Sequence, residues 1–182
     1  MASLVKQYAV ADAAERVRLI SSNFVTFLGI IDSHIDGLVY LIEREKASNR
    51  RGGIEDLGVR VQDNKISDIT GNTATNNVLI RDALMGCDFS NGVLTGTDRE
   101  EEFKKDAFVI RQMRLDYKLY NAQLNSLKPR ERDIFMSRIE SHAPLGDIAD
   151  ANGISVESAR KCIFRIKQKL MKQVVTYMEG SI

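Results

Sequence analysis

Residues 124–170 read LNSLKPRERDIFMSRIESHAPLGDIADANGISVESARKCIFRIKQKL, a segment in which helix-breaking residues separate short apolar patterns. Ser126 and Pro129 predict the start of a first helix, and Pro144 ends it because proline cannot continue a helix. A second, short helix is expected over residues 145–151. The apolar residues expected to face inward from these two helices are Ile134, Phe135, Ile139, Leu145, Ile148 and Ala149.

The turn at residues 152–154 gives this segment the pattern of a helix-turn-helix. Gly153 suits a left-handed backbone conformation, which such a turn requires. Ser155 is expected to cap a helix that runs towards Tyr177. Ala149 is small, as a close crossing of two helices demands. The remaining residues expected to hold the crossing together are Ile148, Ile154 and Ile163.

The helix-turn-helix pattern predicts a recognition helix over residues 155–173, whose N-terminal part enters the major groove of DNA. Arg160 and Lys161 can donate to guanine or phosphate, and Glu157 can accept from cytosine. Val156 and Phe164 offer apolar contact to a thymine methyl group. The predicted DNA-binding residues are Ser155, Val156, Glu157, Ser158, Arg160, Lys161, Phe164, Arg165 and Lys169. The alternative interpretation is an ordinary helical hairpin in a bundle core.

Charge is distributed unevenly along a nearly neutral chain. The 182 residues include 26 basic and 25 acidic side chains, for a net charge of +1. Residues 1–120 carry 16 basic and 18 acidic side chains, whereas residues 121–182 carry 10 and 7. The basic excess therefore coincides with the predicted recognition helix, as expected for a nucleic-acid-binding segment.

An apolar heptad pattern runs from Ala11 to about Lys46, and it predicts one long helix. A second heptad series begins at Phe103 and extends to Leu127. Both stripes need partners, which lie either within the chain or in a second chain. The residues predicted to serve oligomerisation are Val17, Ile20, Phe24, Phe27, Ile31, Leu38 and Leu41.

Glycine-rich polar segments separate these helices. They predict flexible connectors at residues 47–72 and 86–97, with a short helix over 73–85 between them. The buried side of that short helix is expected to comprise Val78, Leu79, Ala83 and Leu84. The fold class is predicted to be all-α, with an oligomerisation and regulatory domain at 1–120. A helix-turn-helix domain of the sigma region 4 type is expected at 121–182.

Composition argues against several classes of protein. Two cysteines, Cys87 and Cys162, do not form a disulfide framework, so we expect a reducing cytoplasm. No apolar run is long enough to predict a membrane span, and the first 16 residues lack the apolar centre of a secretory signal. The sequence contains no nucleophile elbow, no phosphate-binding loop and no spacing typical of metal ligands. His34 is expected to be a hydrogen-bonded core or interface residue. We therefore expect no enzymatic activity, metal or cofactor.

The strings LKPRERDIF and PLGDIADANGISVESARKCIFRIKQKL resemble region 4 of bacterial sigma factors and the related output domains of response regulators. The whole chain, with its long N-terminal helix and the string KISDITGNTATNN at residues 65–77, resembles phage late-gene transcriptional regulators of the ArpU and RinA kind. Ile69 stands where that family has proline. The resemblance implies a regulator encoded by a phage or prophage of low-GC Gram-positive bacteria.

The predicted function is that of a sequence-specific transcription regulator that binds double-stranded DNA at a promoter or operator. One helix-turn-helix reads only a few base pairs, so we expect a homodimer or a higher homo-oligomer. An activator also permits contact with RNA polymerase, at a site that the sequence does not locate. Two alternatives stay open, which are a sigma-like factor that binds RNA polymerase and a DNA-packaging subunit of the small-terminase kind.

Overall fold

The computed structural model describes residues 3–52 and 69–180, and every regular element in these ranges is an α-helix. The described part of the chain is therefore all-α, as predicted. Its helices are α1 (Leu4–Val10), α2 (Ala13–Ser22), α3 (Phe27–Gly52), α4 (Ile69–Gly86), α5 (Glu100–Asn125), α6 (Pro129–Ile139), α7 (Leu145–Asn152) and α8 (Val156–Met178).

The prediction of one continuous helix from Ala11 to Lys46 is wrong, because the chain bends by 101° between α2 and α3. At the bend, polar side chains donate hydrogen bonds to nearby backbone carbonyls. The Asn23 side-chain amide donates to the Leu19 carbonyl at 2.9 Å, and the Thr26 hydroxyl donates to the Asn23 carbonyl at 3.3 Å. Such local bonds compete with helix continuation.

A side-chain cap marks the start of α2. The Asp12 carboxylate accepts the backbone N–H of Glu15 at 2.7 Å, which makes Asp12 the N-cap. Among the described residues, no single helix is long and apolar enough to span a membrane. Only α2 and residues 27–50 taken together reach that length and hydropathy, and the sharp bend separates them.

The chain forms two compact units whose boundaries differ from the predicted one at residue 120. The first unit combines Met1–Ile31 with Gln112–Ile182, and the second comprises Asp32–Arg111. In the first unit α2 packs against α8, and α8 also packs against α6 and α7. The N-terminal helices thus belong to the same compact unit as the predicted DNA-binding segment.

Aromatic rings form the centre of the first unit. The Phe27 and Tyr117 rings stack with their centroids 5.5 Å apart and an interplanar angle of 9°. Phe24 contacts both Tyr117 and Tyr120, and Tyr8 meets Phe27 at a centroid distance of 5.9 Å. Aromatic pairs at these distances add stability beyond the area that they bury. The cluster joins α1, α3 and α5.

Six of the seven residues predicted to serve oligomerisation are buried within the chain, and the seventh, Leu41, is half-buried. The two heptad stripes therefore find apolar partners in the same chain. Of the two arrangements left open by the sequence, packing within the chain is the one observed. The buried six are Val17, Ile20, Phe24, Phe27, Ile31 and Leu38.

In the second unit, side chains of α3 form hydrogen bonds with the loop that precedes α5. The Glu45 carboxylate accepts the backbone N–H groups of Asp98 and Arg99, and Lys46 donates to the Val93 carbonyl. Leu94 of this loop is fully buried. The segment predicted as a flexible connector at 86–97 is thus a loop anchored on α3.

The other predicted connector, 47–72, is shorter than expected. Residues 47–52 continue α3, and α4 already begins at Ile69, so residues 69–72 are helical. The rest of this connector lies outside the described residues. Residue 72 therefore already lies within the first turn of α4. Ser67 and Asp68 also lie outside the described residues.

The buried side of α4 is only partly the predicted one. Ala83 and Leu84 are buried as expected, but Val78 and Leu79 are exposed and Ile80 is buried in their place. Val78 lies two residues before Ile80, which is about 200° around a helix. The two residues consequently face opposite sides of α4.

Candidate nucleic-acid interface

Three helices, α6, α7 and α8, pack against one another at the C-terminal end of the chain. Pro129 occupies the first turn of α6, where the missing N–H of proline costs no hydrogen bond. Pro144 immediately precedes α7. The Arg138 guanidinium donates to the Ala143 carbonyl at 2.9 Å and ties the intervening segment to α6. Pro129 therefore marks a helix start, as predicted. α6 ends at Ile139, and Pro144, which was expected to end that helix, stands at the start of α7.

The turn between α7 and α8 has the predicted left-handed glycine. Gly153 has φ +60° and ψ +38°. The backbone N–H of Ile154 donates to the Ala149 carbonyl at 3.0 Å, which satisfies an otherwise unpaired group at the end of α7. Arg130 of α6 donates to the Asn152 carbonyl at 2.8 Å, so a third helix also braces this turn.

Ser155 is the N-cap of α8, as predicted. Its hydroxyl oxygen accepts the backbone N–H of Ser158 at 3.1 Å, and its hydroxyl donates to the Ser158 hydroxyl at 2.9 Å. These two serines fix the orientation of the first turn of α8. All four residues from 155 to 158 are exposed, so the start of α8 lies at the surface.

One side of α8 is buried, and the predicted DNA-binding residues lie outside it. The buried residues recur at intervals of three or four, as on one face of a helix. They are Ala159, Cys162, Ile166, Leu170 and Val174. All nine predicted DNA-binding residues are exposed. Of the residues predicted to hold the crossing together, Ile148 is buried, whereas Ile154 and Ile163 are half-buried.

Charge on the exposed side of α8 is mainly positive. Glu157 is its one acidic residue before the C-terminal end, and it lies 3.6 Å from Arg160 and 3.4 Å from Lys161. Both ion pairs are exposed, so each contributes little to stability. Within the described part of the chain, no carboxylate forms an ion pair with four further cations of α8, which are Arg165, Lys167, Lys169 and Lys172.

The exposed side of α8 also contains Gln168, which the sequence reasoning missed. Gln168 lies one helical turn after Phe164 and one turn before Lys172, so all three share a face. An amide can both donate to and accept from base edges. Its spacing from Phe164 was the signal that could have identified it.

Other residues singled out in the sequence lie apart from this surface. Cys162 is buried on the inner side of α8, and Cys87 is half-buried after α4. His34 is half-buried, and its buried Nε2 has no hydrogen-bond partner, contrary to the expected hydrogen-bonded role. In residues 3–52 and 69–180, no group of three or more histidine, cysteine or acidic side chains is arranged to hold a metal ion.

Comparison of the chain with protein families, curated proteins and solved structures found no match in any of the three.

Proposed function

We propose that this protein is a sequence-specific DNA-binding transcription regulator whose α6, α7 and α8 form a helix-turn-helix of the sigma region 4 type. The observation that carries the proposal is the exposed basic side of α8, which stands opposite a fully packed inner side. The left-handed turn at Gly153 and the cap at Ser155 add to it. Together they match the geometry by which such motifs present a helix to the major groove.

Five charged residues on the exposed side of α8 have chemical roles in this proposal. Arg160 and Lys161 donate to guanine, since their ion pairs with Glu157 are weak enough to exchange for contacts with bases. Glu157 then accepts from a cytosine amino group. Arg165 and Lys169 contact phosphates, which position the protein without reading sequence.

The biological setting belongs to the same proposal and is supported by the sequence resemblance. We place the protein in the cytoplasm of a low-GC Gram-positive bacterium, as a phage or prophage late-gene activator. A homodimer would double the short sequence that one helix-turn-helix reads. Because the heptad residues are buried within the chain, the dimer contact must use other residues.

Selection from a pool of random DNA duplexes tests the proposal. We expect enrichment of an inverted repeat with half-sites about one helical turn apart, and a steep loss of affinity with added salt. Fluorescence anisotropy then compares the wild type with an Arg160→Ala, Lys161→Ala double variant. A matched control, Lys105→Ala with Arg111→Ala, removes two exposed cations from α5.

The double variant in α8 should lose specific binding, whereas the control should bind like the wild type. Equal affinity of both variants for the enriched duplex would refute the assignment of α8 as the recognition helix. The mass of the protein in solution separates the alternatives, since a dimer favours a regulator and a ring of eight or more subunits favours a packaging subunit. A stable complex with core RNA polymerase would instead favour the sigma-like factor.

A further inference from the structure

Phe164 is the one aromatic residue on the exposed basic side of α8. Its side chain is 62% exposed. It lies two residues after Cys162 and two before Ile166, hence about 160° around the helix from each of these buried residues. Phe164 therefore points directly away from the three-helix core, and core packing does not account for a phenylalanine there.

The surroundings of Phe164 are polar and positively charged. A shallow depression is lined by Phe164 together with Ser158, Arg160, Lys161 and Arg165. An apolar ring enclosed by groups that bind phosphates and base edges suits a partner that is anionic and carries a small apolar group. In the major groove, thymine is the base that offers such a group, its C5-methyl.

From this arrangement we infer that Phe164 is a specificity-determining residue that reads a thymine methyl group in each half-site. The inference rests on the proposed function. Arg160 precedes Phe164 by one helical turn, about 6 Å along the axis, and successive base pairs are about 3.4 Å apart. The thymine consequently lies within about two base pairs of the base that Arg160 contacts.

The structure separates Phe164 from Val156, the other apolar residue of the predicted site. Val156 lies three residues before the buried Ala159, which places it only about 60° from the inner side of α8. It is 45% exposed. Val156 thus lies at the edge of the outward surface, whereas Phe164 lies at its centre. We assign the methyl contact to Phe164 alone.

Replacing thymine by deoxyuridine tests the inference, because the substitution removes the methyl group and preserves base pairing. Each thymine of the enriched duplex is replaced in turn, and affinity is measured by anisotropy. We expect about fourfold weaker binding at one thymine position per half-site, the factor that burial of one methyl group typically contributes. Phe164→Ala should bind the thymine and deoxyuridine duplexes equally, and Phe164→Leu should retain part of the discrimination.

Phe108→Ala is the matched control, since Phe108 of α5 is 64% exposed and lies far from α8 in the chain. This variant should discriminate thymine from deoxyuridine as the wild type does. Unfolding in urea checks that each variant is folded. Persistent discrimination in folded Phe164→Ala, or the absence of any methyl-sensitive position in an enriched duplex, would overturn the inference. Failure to enrich any sequence would instead count against the proposed function itself.

Discussion

The Tyr8 hydroxyl donates a 2.8 Å hydrogen bond to the Asp116 carboxylate, and this buried bond joins two residues 108 positions apart in the chain. Asp116 is only 3% exposed. Its other carboxylate oxygen accepts from the Gln112 amide at 2.8 Å, and Arg16 lies 3.9 Å away. A buried carboxylate requires such partners, because an unpaired one would be costly to desolvate. The bond fixes α1 on α5.

Tyr8→Phe should destabilise the protein, because it removes a hydrogen bond to a buried charge and keeps the ring. We expect the free energy of unfolding to fall by about 1.5–3 kcal/mol. Urea denaturation measures the change. Tyr40→Phe removes a hydroxyl from an exposed tyrosine and should alter stability by less than about 0.5 kcal/mol. Equal effects of the two substitutions would contradict a stabilising role for the bond.

The same tyrosine predicts a loss of stability in alkaline solution. Burial raises the pKa of Tyr8 well above its ordinary value of 10.0, and the Asp116 charge and hydrogen bond raise it further against the opposing Arg16. The unfolded chain therefore ionises first, so this stabilisation is present below pH 10 and is lost as the pH rises above it. At pH 11 the loss from this group should be on the order of 1 kcal/mol.

Comparing the wild type with Tyr8→Phe at pH 8 and pH 11 isolates this contribution, since the other titrating groups are common to both. The difference in unfolding free energy should narrow at the higher pH. A difference that stays constant would show that Tyr8 ionises equally in the folded and unfolded chains.

Glu45→Ala should weaken the start of α5. The Glu45 carboxylate accepts the N–H groups of Asp98 at 2.6 Å and Arg99 at 3.0 Å, as a capping side chain does. The loss should be about 0.5–2 kcal/mol, the usual value for a helix cap. Asp82→Ala, which removes an exposed carboxylate from α4, should have little effect on urea denaturation.

The contribution of Glu45 should depend on pH. Burial raises its pKa, but the hydrogen bonds from Asp98 and Arg99 and the Arg99 charge outweigh burial and hold the pKa below its usual 4.5. The stabilisation is thus present above pH 4.5 and is lost as the pH falls through the lower pKa of the folded protein. The difference in unfolding free energy between the wild type and Glu45→Ala should therefore shrink in acid. A difference that does not depend on pH would argue against a charged cap.

Two glycines of α7 and its turn should respond to alanine in opposite directions. A Cβ added at Gly153 or at Gly146 would meet no atom within 4 Å, so only backbone conformation distinguishes them. Gly153 is left-handed, and Gly153→Ala should cost about 1–2 kcal/mol. Gly146 is helical, and Gly146→Ala should add about 0.5–1 kcal/mol. Thermal or urea unfolding measures the stability change of each variant. Stability changes of the same sign in both variants would contradict the assigned turn.

Ile20→Ala tests whether the N-terminal heptad residues belong to the core of one chain. Ile20 is fully buried, so its truncation should cost about 2–5 kcal/mol. The cost should be the same at two protein concentrations tenfold apart, because the contacts lie within the chain. Val25→Ala, at an exposed position between α2 and α3, should change stability little. A loss of stability that varies with protein concentration would instead indicate that Ile20 lies in a subunit interface.

The local structure of the C-terminal segment could be predicted from residues that lie close together in the sequence. Pro129 marks a helix start, Gly153 makes the turn, and Ser155 caps α8, each through backbone chemistry that acts within a few residues. The exposure of the nine predicted DNA-binding residues also followed, because helical periodicity separates the apolar side of α8 from its basic side.

The partner of the N-terminal apolar stripe, in contrast, depends on how distant helices pack. A heptad pattern indicates that one face of a helix is apolar. The hydrophobic effect is non-directional, so the pattern does not specify which other apolar face will cover it. The bend at Asn23 allows α2 to pack on α8, and the same chain then buries residues that the sequence left for a second copy. The Tyr8–Asp116 bond was equally beyond sequence reasoning, since residues so distant in the chain meet only once the helices have packed.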